Sequence, residues 1–285
     1  MLRMPRLSII IVTYNSRTHV DACLGSLARH MAAVDHEVLV VDNASSDGTA
    51  AYVRERWPAV RVIEAGGNLG FARANNIGFR RTIGELVLLL NPDTSVPTGA
   101  IDGLVASLDA RPDAAIAGPR LVDGAGRAEL SFGSMISPIA ELRQKVLVAG
   151  NDRHVPIVSG YVDGLTRQAR EVDWVSGACL LVRRADADAV GLMDERYFIY
   201  AEDVDFCAAV RARGPKVIFT PGVEIVHLRG KSVASARDAT EQAYRRSQIA
   251  FYEKHHPRWV AFLRAYLKIR GQLPDTQINP GIPDS

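Results

Sequence analysis

With 285 residues the chain has room for one large domain or two fused halves, and for a full core without disulfide or metal staples. Its 47% apolar and 23% charged content excludes a disordered, collagen-like or coiled-coil chain. Its 34 basic and 32 acidic residues leave a net charge of +2, too balanced for a surface-wide nucleic-acid footprint. Three scattered cysteines, Cys23, Cys179 and Cys207, lack the close pairing of a zinc site and read as reduced core residues. No stretch nears the ~18 consecutive apolar residues of a membrane span, and the run at 9–12 is too short for a signal-peptide core, so a cytoplasmic protein is expected.

Four short β-branched runs, at 7–12, 37–41, 60–63 and 85–90, read as strands, three of them apolar on both faces as in the middle of a parallel sheet. Between the first two, Val20, Cys23, Leu24, Leu27 and Met31 form one apolar stripe at helical spacing. A second helix is expected from about Gly48, with Ser46 or Asp47 as its cap, and a third over roughly 70–82. This alternation predicts a doubly wound α/β fold, a mostly parallel central sheet with helices on both faces. Residues 123–171 are rich in glycine, charge and breakers and are expected to form loops or short mobile elements. A strand pattern returns at 174–182, and a helix over about 201–213 stops at Gly214-Pro215. Two helices then fill roughly 238–271, and the proline-containing end reads as a disordered tail.

Open parallel sheets bind ligands at the carboxyl ends of their strands. The first strand ends in Thr13-Tyr14-Asn15, the second in Asp42-Asn43-Ala44-Ser45-Ser46-Asp47-Gly48, the third in Gly66-Gly67-Asn68-Leu69-Gly70 and the fourth in Asn91-Pro92-Asp93. Each alone reads as a turn or cap, whereas four on one rim predict a ligand site. A nicotinamide-dependent oxidoreductase would carry its glycine-rich turn directly after the first strand, where this chain has no glycine, so that class is the weaker rival. Asp93, following a buried strand, suits Mg²⁺ or Mn²⁺ bridged to a nucleoside diphosphate. Asp42 suits a nucleobase N–H or a ribose hydroxyl.

These four motifs, the second extended to Thr49 and the third to Asn68-Leu69-Gly70-Phe71-Ala72-Arg73-Ala74-Asn75-Asn76-Ile77-Gly78, are followed by Glu202-Asp203-Val204-Asp205. In that order they resemble family 2 inverting glycosyltransferases over about residues 7–232. The similarity is strongest to bacterial rhamnosyltransferase-type members, through Trp174-Val175-Ser176-Gly177-Ala178-Cys179 and Phe198-Ile199-Tyr200-Ala201-Glu202-Asp203. The resemblance implies a Rossmann-like A-type fold. Residues 1–235 would be the catalytic domain, with a nucleotide half at 1–93 and an acceptor half at 94–235. Residues 236–272 would be appended helices and 273–285 a tail.

The resemblance also implies that Thr13, Tyr14, Asn15 and Asp42 hold the nucleoside, with Asn68 and Asn75 or Asn76 near base and ribose. Asn91 stands where many relatives carry Asp, leaving Asp93 as the remaining acid of the metal-binding motif and His227 as a second ligand to Mg²⁺ or Mn²⁺. The expected donor is deoxythymidine diphosphate-rhamnose, with uridine diphosphate sugars next. The expected acceptor is a glycan or polyprenyl-linked sugar in cell-surface polysaccharide synthesis, and no nucleic acid is expected as partner. A nucleotide-sugar-binding protein without turnover is the alternative from another class.

Inverting transfer needs a base beside the acceptor hydroxyl and positive charge at the leaving group. Glu202, Asp203 and Asp205 fall in the first turn of one helix, where acids also complement the helix dipole. Asp203 shares the face of Phe206, Cys207 and Val210, while Asp205 lines up with Ala208 and Ala209, so Asp203 is expected to point inward as base and Asp205 outward. Glu202 is assigned as its orienting partner or an acceptor contact. Trp174 and Tyr200 are candidates to stack on an acceptor sugar, and Gly177 for close backbone approach.

Residues 243–272 carry seven basic residues against one acid, a charge of +6 within a chain of +2. There Trp259, Phe262, Leu263, Tyr266 and Leu267 form a helical stripe flanked by Arg264 and Lys268. The pattern fits a helix at 257–271 lying on an anionic membrane surface, at the inner face of the plasma membrane, and equally a helix that closes the core.

Overall fold

The computed structural model describes residues 4–228 and 237–274, the side chains of 237–240 excepted. The expected disordered tail falls outside these residues from 275 onward. The first half runs β1 (Leu7–Thr13), α1 (Arg17–Arg29), β2 (His36–Asp42), α2 (Thr49–Arg56), β3 (Arg61–Glu64), α3 (Gly70–Arg81), β4 (Leu86–Leu90), β5 (Thr94–Ser95) and α4 (Ala100–Asp109). The second runs β6 (Ala114–Val122), β7 (Phe132–Gly133), α5 (Pro138–Asp152), α6 (Pro156–Thr166), β8 (Arg170–Val172), β9 (Trp174–Val175), β10 (Cys179–Arg183), α7 (Arg184–Ala189), α8 (Glu202–Arg211), β11 (Lys216–His227), α9 (Arg237–His255) and α10 (Val260–Ile269).

One sheet carries the order β3-β2-β1-β4-β10-β6-β11-β5, with β8 also on β11. Strands β3, β2, β1 and β4 are parallel, while β10 runs antiparallel between β4 and β6. The β-branched and leucine runs account for this: Leu7, Ile9 and Ile11 pack on one face with Leu86, Leu88 and Leu90, and Ile10, Val87 and Leu89 pack on the other. Helices α1 and α4 cover the first face, and α3 and α8 cover the second through Phe79, Phe206, Cys207 and Val210. Burying each large side chain contributes about 1.5–3 kcal/mol, so the central strands anchor the rim above them. Cys23, Cys179 and Cys207 are buried free thiols.

Four expectations change. Met31 is exposed and lies beyond α1, because the helix ends at Arg29 and the stripe ends at Leu27. The cap of α2 is split: Gly48 takes the left-handed backbone, and the Asp47 carboxylate one residue earlier accepts from the Thr49 N–H at 3.0 Å. The strand pattern at 174–182 breaks at Ser176-Gly177-Ala178 into β9 and β10, which belong to different sheets.

The fourth change is the largest. Residues 123–171 hold α5 and α6 rather than loops. Helix α5 buries no residue fully and exposes Ile139, Leu142 and Val146 while turning Leu147 and Val148 toward the core, so apolar residues on both sides blur its period. Its local signals were present, since Ser137 accepts from the Ala140 N–H and Pro138 opens the helix.

Candidate active site

The parallel register brings the strand ends together. Thr13 pairs with Asp42 at the last step of β1 and β2. The chain beyond them is tied down by backbone and side-chain bonds. Asn15 takes a left-handed backbone and accepts from the Ser46 N–H at 2.8 Å, the Ser45 hydroxyl accepts from the Asn15 N–H at 2.9 Å, and Asp42 accepts from the Ser45 N–H at 3.0 Å. Asn43 reaches across to the third motif, donating to Asn68 at 3.0 Å and accepting from the Leu69 N–H at 2.9 Å. Tyr14 stands exposed at this rim.

Two buried atoms here lack partners among the described residues, Thr13 Oγ1 and Asp42 Oδ1. A buried acceptor without a donor is costly, so both fit a ligand that brings its own N–H or O–H groups. Asn75 and Asn76 differ from Asn68. Both are buried within α3, where Asn75 donates to the Phe71 carbonyl. Asn76 donates to the Met193 carbonyl and Glu195 and accepts from the Met193 N–H, which uses its whole amide to fasten the 193–195 loop. The expected contact of Asn76 with base or ribose therefore gives way to a structural role.

The fourth motif meets β11. Antiparallel pairing of His227 with Thr94 sets the imidazole beside Asp93, with His227 Nε2 3.3 Å from Asp93 Oδ1. On the other ring nitrogen Glu129, absent from every sequence motif, lies 3.1 Å from Nδ1. Burial favours neutral His227, but the two carboxylates outweigh it and hold the imidazolium up to about 9. Burial likewise raises Asp93, and the histidine overcomes this and holds the acid below its ordinary value.

Among the described residues no three His, Cys, Asp or Glu side chains form a metal cage. The donor set nonetheless fits a hard or borderline cation: one carboxylate, one imidazole and a carboxylate backing the imidazole, with the remaining positions left to phosphate and water. Asn91 contributes backbone instead, its N–H donating to the Ala178 carbonyl at 2.9 Å and its own carbonyl accepting from Thr94.

The Asn91–Ala178 bond leads to the acids. Strand β10 starts beside the end of β4, Cys179 opposite Leu90, so the Ser176-Gly177-Ala178 turn lies at the same edge of the sheet as Asp42 and Asp93. Gly177 N–H donates to Asp203 Oδ2 at 2.9 Å, and the Val204 N–H to Oδ1 at 2.9 Å. A Cβ at Gly177 would sit 3.1 Å from the Phe71 ring of α3 and 3.4 Å from the Asp203 Cβ of α8, so the glycine leaves room for the Phe71 ring at this turn. The preceding loop is clamped too. Phe198 carbonyl accepts from the Phe71 N–H at 2.7 Å, and a Cβ on Gly70, whose φ is +80°, would sit 2.2 Å from that oxygen. Tyr200 and Ala201 then both adopt left-handed backbone, strain of roughly 1–3 kcal/mol each held in place by this packing.

The two adjacent acids differ. Burial raises Asp203 above the ordinary aspartate value, and the two N–H groups partly offset it. Burial raises Glu202 well above the ordinary glutamate value, Asp203 adds like-charge repulsion, and Glu202 Oε2 has no partner among the described residues. Asp203 lines a cavity of about 600 Å³ together with Trp174 and Tyr200. Trp174 is fixed by donation to the Ser134 carbonyl, and Tyr200 packs edge-on against Tyr244 at 5.4 Å.

Asp205 overturns its expected outward position. It is 1% exposed because α9 covers that face, and its carboxylate is held by Lys254 at 2.8 Å, His255 at 2.6 Å and the Tyr197 hydroxyl at 3.3 Å. Helical geometry within 202–211 carried no sign of a partner fifty residues away.

The profile of the family described as "Glycosyl transferase family 2" matches residues 8–171. The chain belongs to this family. It is 32% identical over 94% of its length to N-acetylglucosaminyl-diphospho-decaprenol L-rhamnosyltransferase of Mycobacterium tuberculosis (strain ATCC 25618 / H37Rv), covering 90% of that protein. It is 28% identical over 79% of its length to dTDP-rhamnosyl transferase RfbF of Shigella flexneri, covering 70% of it. Among solved structures it resembles the mannosyltransferase PcManGT from Pyrobaculum calidifontis in complex with GDP-Man and Mn²⁺, with a TM-score of 0.59 and 20% identity over 93% of this chain and 70% of that one. It is similar also to S. aureus TarS 1-349, at a TM-score of 0.58 and 15% identity over 92% and 72%. The protein is a family 2 glycosyltransferase with the A-type fold.

Proposed function

We propose that this glycosyltransferase moves L-rhamnose, with inversion, from deoxythymidine diphosphate-rhamnose to a lipid-linked sugar in cell-surface polysaccharide synthesis. The convergence of Asp42, Asp93 and Asp203 on one sheet edge, with Asp203 in the wall of an open cavity, carries the reading. The names of the rhamnosyltransferase relatives support the sugar, and the diphospho-decaprenol in one of them supports the acceptor class.

In this mechanism Thr13 Oγ1 and Asp42 Oδ1 accept hydrogen bonds from the nucleoside. Asp93 and His227, the latter as neutral imidazole, would hold a divalent cation, which would supply positive charge at the departing diphosphate. Glu129 orients the ring from behind. Asp203 removes the proton of the acceptor hydroxyl as that oxygen attacks the anomeric carbon from the face opposite the diphosphate. Its raised pKa makes it a stronger base than an exposed aspartate, and the Gly177 and Val204 N–H groups aim it. Glu202 supports the acceptor end of the site, and Trp174 and Tyr200 offer aromatic faces to a pyranose.

No described helix is long and apolar enough to cross a membrane. The C-terminal stripe divides: Leu263 and Leu267 pack inward against α9, while Trp259, Phe262, Tyr266 and Ile269 stay exposed beside Arg258, Lys268 and Arg270. Exposed aromatics with cations support peripheral contact with an anionic bilayer. A nucleoside-diphosphate release assay tests the donor: deoxythymidine diphosphate-rhamnose with Mn²⁺ or Mg²⁺ and a lipid-linked acceptor should give release well above any uridine diphosphate sugar. Equal or higher turnover with the uridine compounds overturns the sugar assignment.

A further inference from the structure

The cavity that ends on Asp203 carries more charge than the transfer step uses. Three of its acids are already neutralised: Glu141 by Lys145 at 2.6 Å, Glu171 by Lys216 at 3.0 Å and Asp173 by Arg211 at 2.5 Å. Glu141 is further held by the Tyr252 hydroxyl at 2.6 Å and by Gln248. That leaves Asp203 as the remaining acid, and two guanidinium groups, Arg143 and Arg170, that form no ion pair with a carboxylate among the described residues. Neither is slack. Arg143 donates to the Tyr161 hydroxyl at 3.1 Å, and Arg170 lies 5.4 Å from the centre of the Phe132 ring.

Arg143 also sits on α5 one step from an exposed apolar row. Ile139 lies four residues before it and Val146 three after, on the same side of the helix, with Leu142 adjacent, and all three are exposed. A pocket with Trp174 and Tyr200 beside Asp203, guanidinium groups without a carboxylate partner along its wall and an exposed apolar row on the helix that supplies one of them matches an amphiphile made of sugar, anionic linker and hydrocarbon. Guanidinium groups are suited to phosphate oxygens by their planar set of donors.

We propose that Arg143 and Arg170 form an anion subsite for the diphosphate of a polyprenyl-type lipid-linked acceptor, whose sugar hydroxyl meets Asp203 and whose hydrocarbon leaves along Ile139, Leu142 and Val146. This inference rests on the transferase reading and adds the residues that choose the acceptor.

The test is calorimetric binding of farnesyl-diphospho-N-acetylglucosamine and of the uncharged octyl N-acetylglucosaminide, with the donor site saturated by deoxythymidine diphosphate and Mn²⁺. Wild type should bind the diphosphate compound more tightly. Arg143→Gln and Arg170→Gln should each weaken it by about tenfold, the loss of one charge-assisted contact, while affinity for the octyl glycoside and for deoxythymidine diphosphate stays unchanged. Failure of wild type to prefer the diphosphate compound, or an equal loss for both acceptors in the variants, overturns the subsite. A charge-dependent preference in a protein that releases no nucleoside diphosphate with either acceptor would uphold the subsite and overturn the transferase reading instead.

Discussion

The contact between Asp205 and α9 is where the catalytic helix depends on the carboxyl-terminal helices, and Asp205→Asn perturbs it with little change of shape. The substitution removes the charge received by Lys254 and His255 from a site only 1% exposed. Two charge-assisted bonds at about 1.5–3 kcal/mol each set the upper bound. Lys254 is a third exposed and keeps Asp194 at 2.9 Å, which discounts its share, so the expected loss is about 2–3 kcal/mol. At about 2 °C per kcal/mol for a chain of this size, the melting temperature should fall by about 4–6 °C at pH 7. The sign with pH follows from Lys254. Burial opposes its charge, Asp205 and Asp194 outweigh burial, and its folded pKa lies above the ordinary value. Its share is therefore present at neutral pH and is lost as pH rises through that raised pKa. Calorimetric melting of wild type and variant at pH 7 and at strongly alkaline pH measures both effects. A variant that melts within a degree of wild type at pH 7 would refute the clamp.

Glu202→Gln should raise stability at pH 7 by about 1 kcal/mol while lowering transfer, because it removes a buried carboxyl whose ionisation is opposed by burial and by Asp203; a urea midpoint at or below wild type contradicts this. Since the folded pKa values of Glu202 and Asp203 are both raised, their contribution to stability declines as pH rises through them, whereas the acid limb of kcat/KM, which needs ionised Asp203, should lie above the ordinary ~3.9 of aspartate. A pH–rate profile flat down to pH 4 would count against this base. Gly70→Ala should lose at least about 1 kcal/mol and weaken donor binding, since its new methyl meets the Phe198 carbonyl in a left-handed backbone; unchanged melting and nucleotide affinity would show that the loop does not matter. Replacing Phe262, Tyr266 and Ile269 together by Ser should abolish flotation with anionic vesicles, and retained flotation would remove α10 from the membrane contact.

The parallel half of the fold was legible because its signals are local. Two-faced apolar runs require a buried sheet, and polar strand ends then share one edge by topology alone. The Asp42, Asp93 and Gly177 neighbourhoods follow from that logic. What stayed hidden is long-range. Glu129 reaches His227 from a segment with no motif, Asp205 is covered by a helix fifty residues later, and Asn76 spends its amide on the 193–195 loop. Helix α5 was missed for a different reason. A helix that is apolar toward both core and solvent shows little period, and an apolar face left outside is itself a sign of a surface with a partner.

The base assignment is tested most directly by Asp203→Asn, which keeps the side chain's shape and one of its two N–H contacts but cannot accept a proton. Single-turnover transfer from deoxythymidine diphosphate-rhamnose should fall by about 10²–10⁴-fold, with deoxythymidine diphosphate bound as tightly as by wild type. Transfer within a few-fold of wild type, at equal nucleotide affinity, would contradict the account.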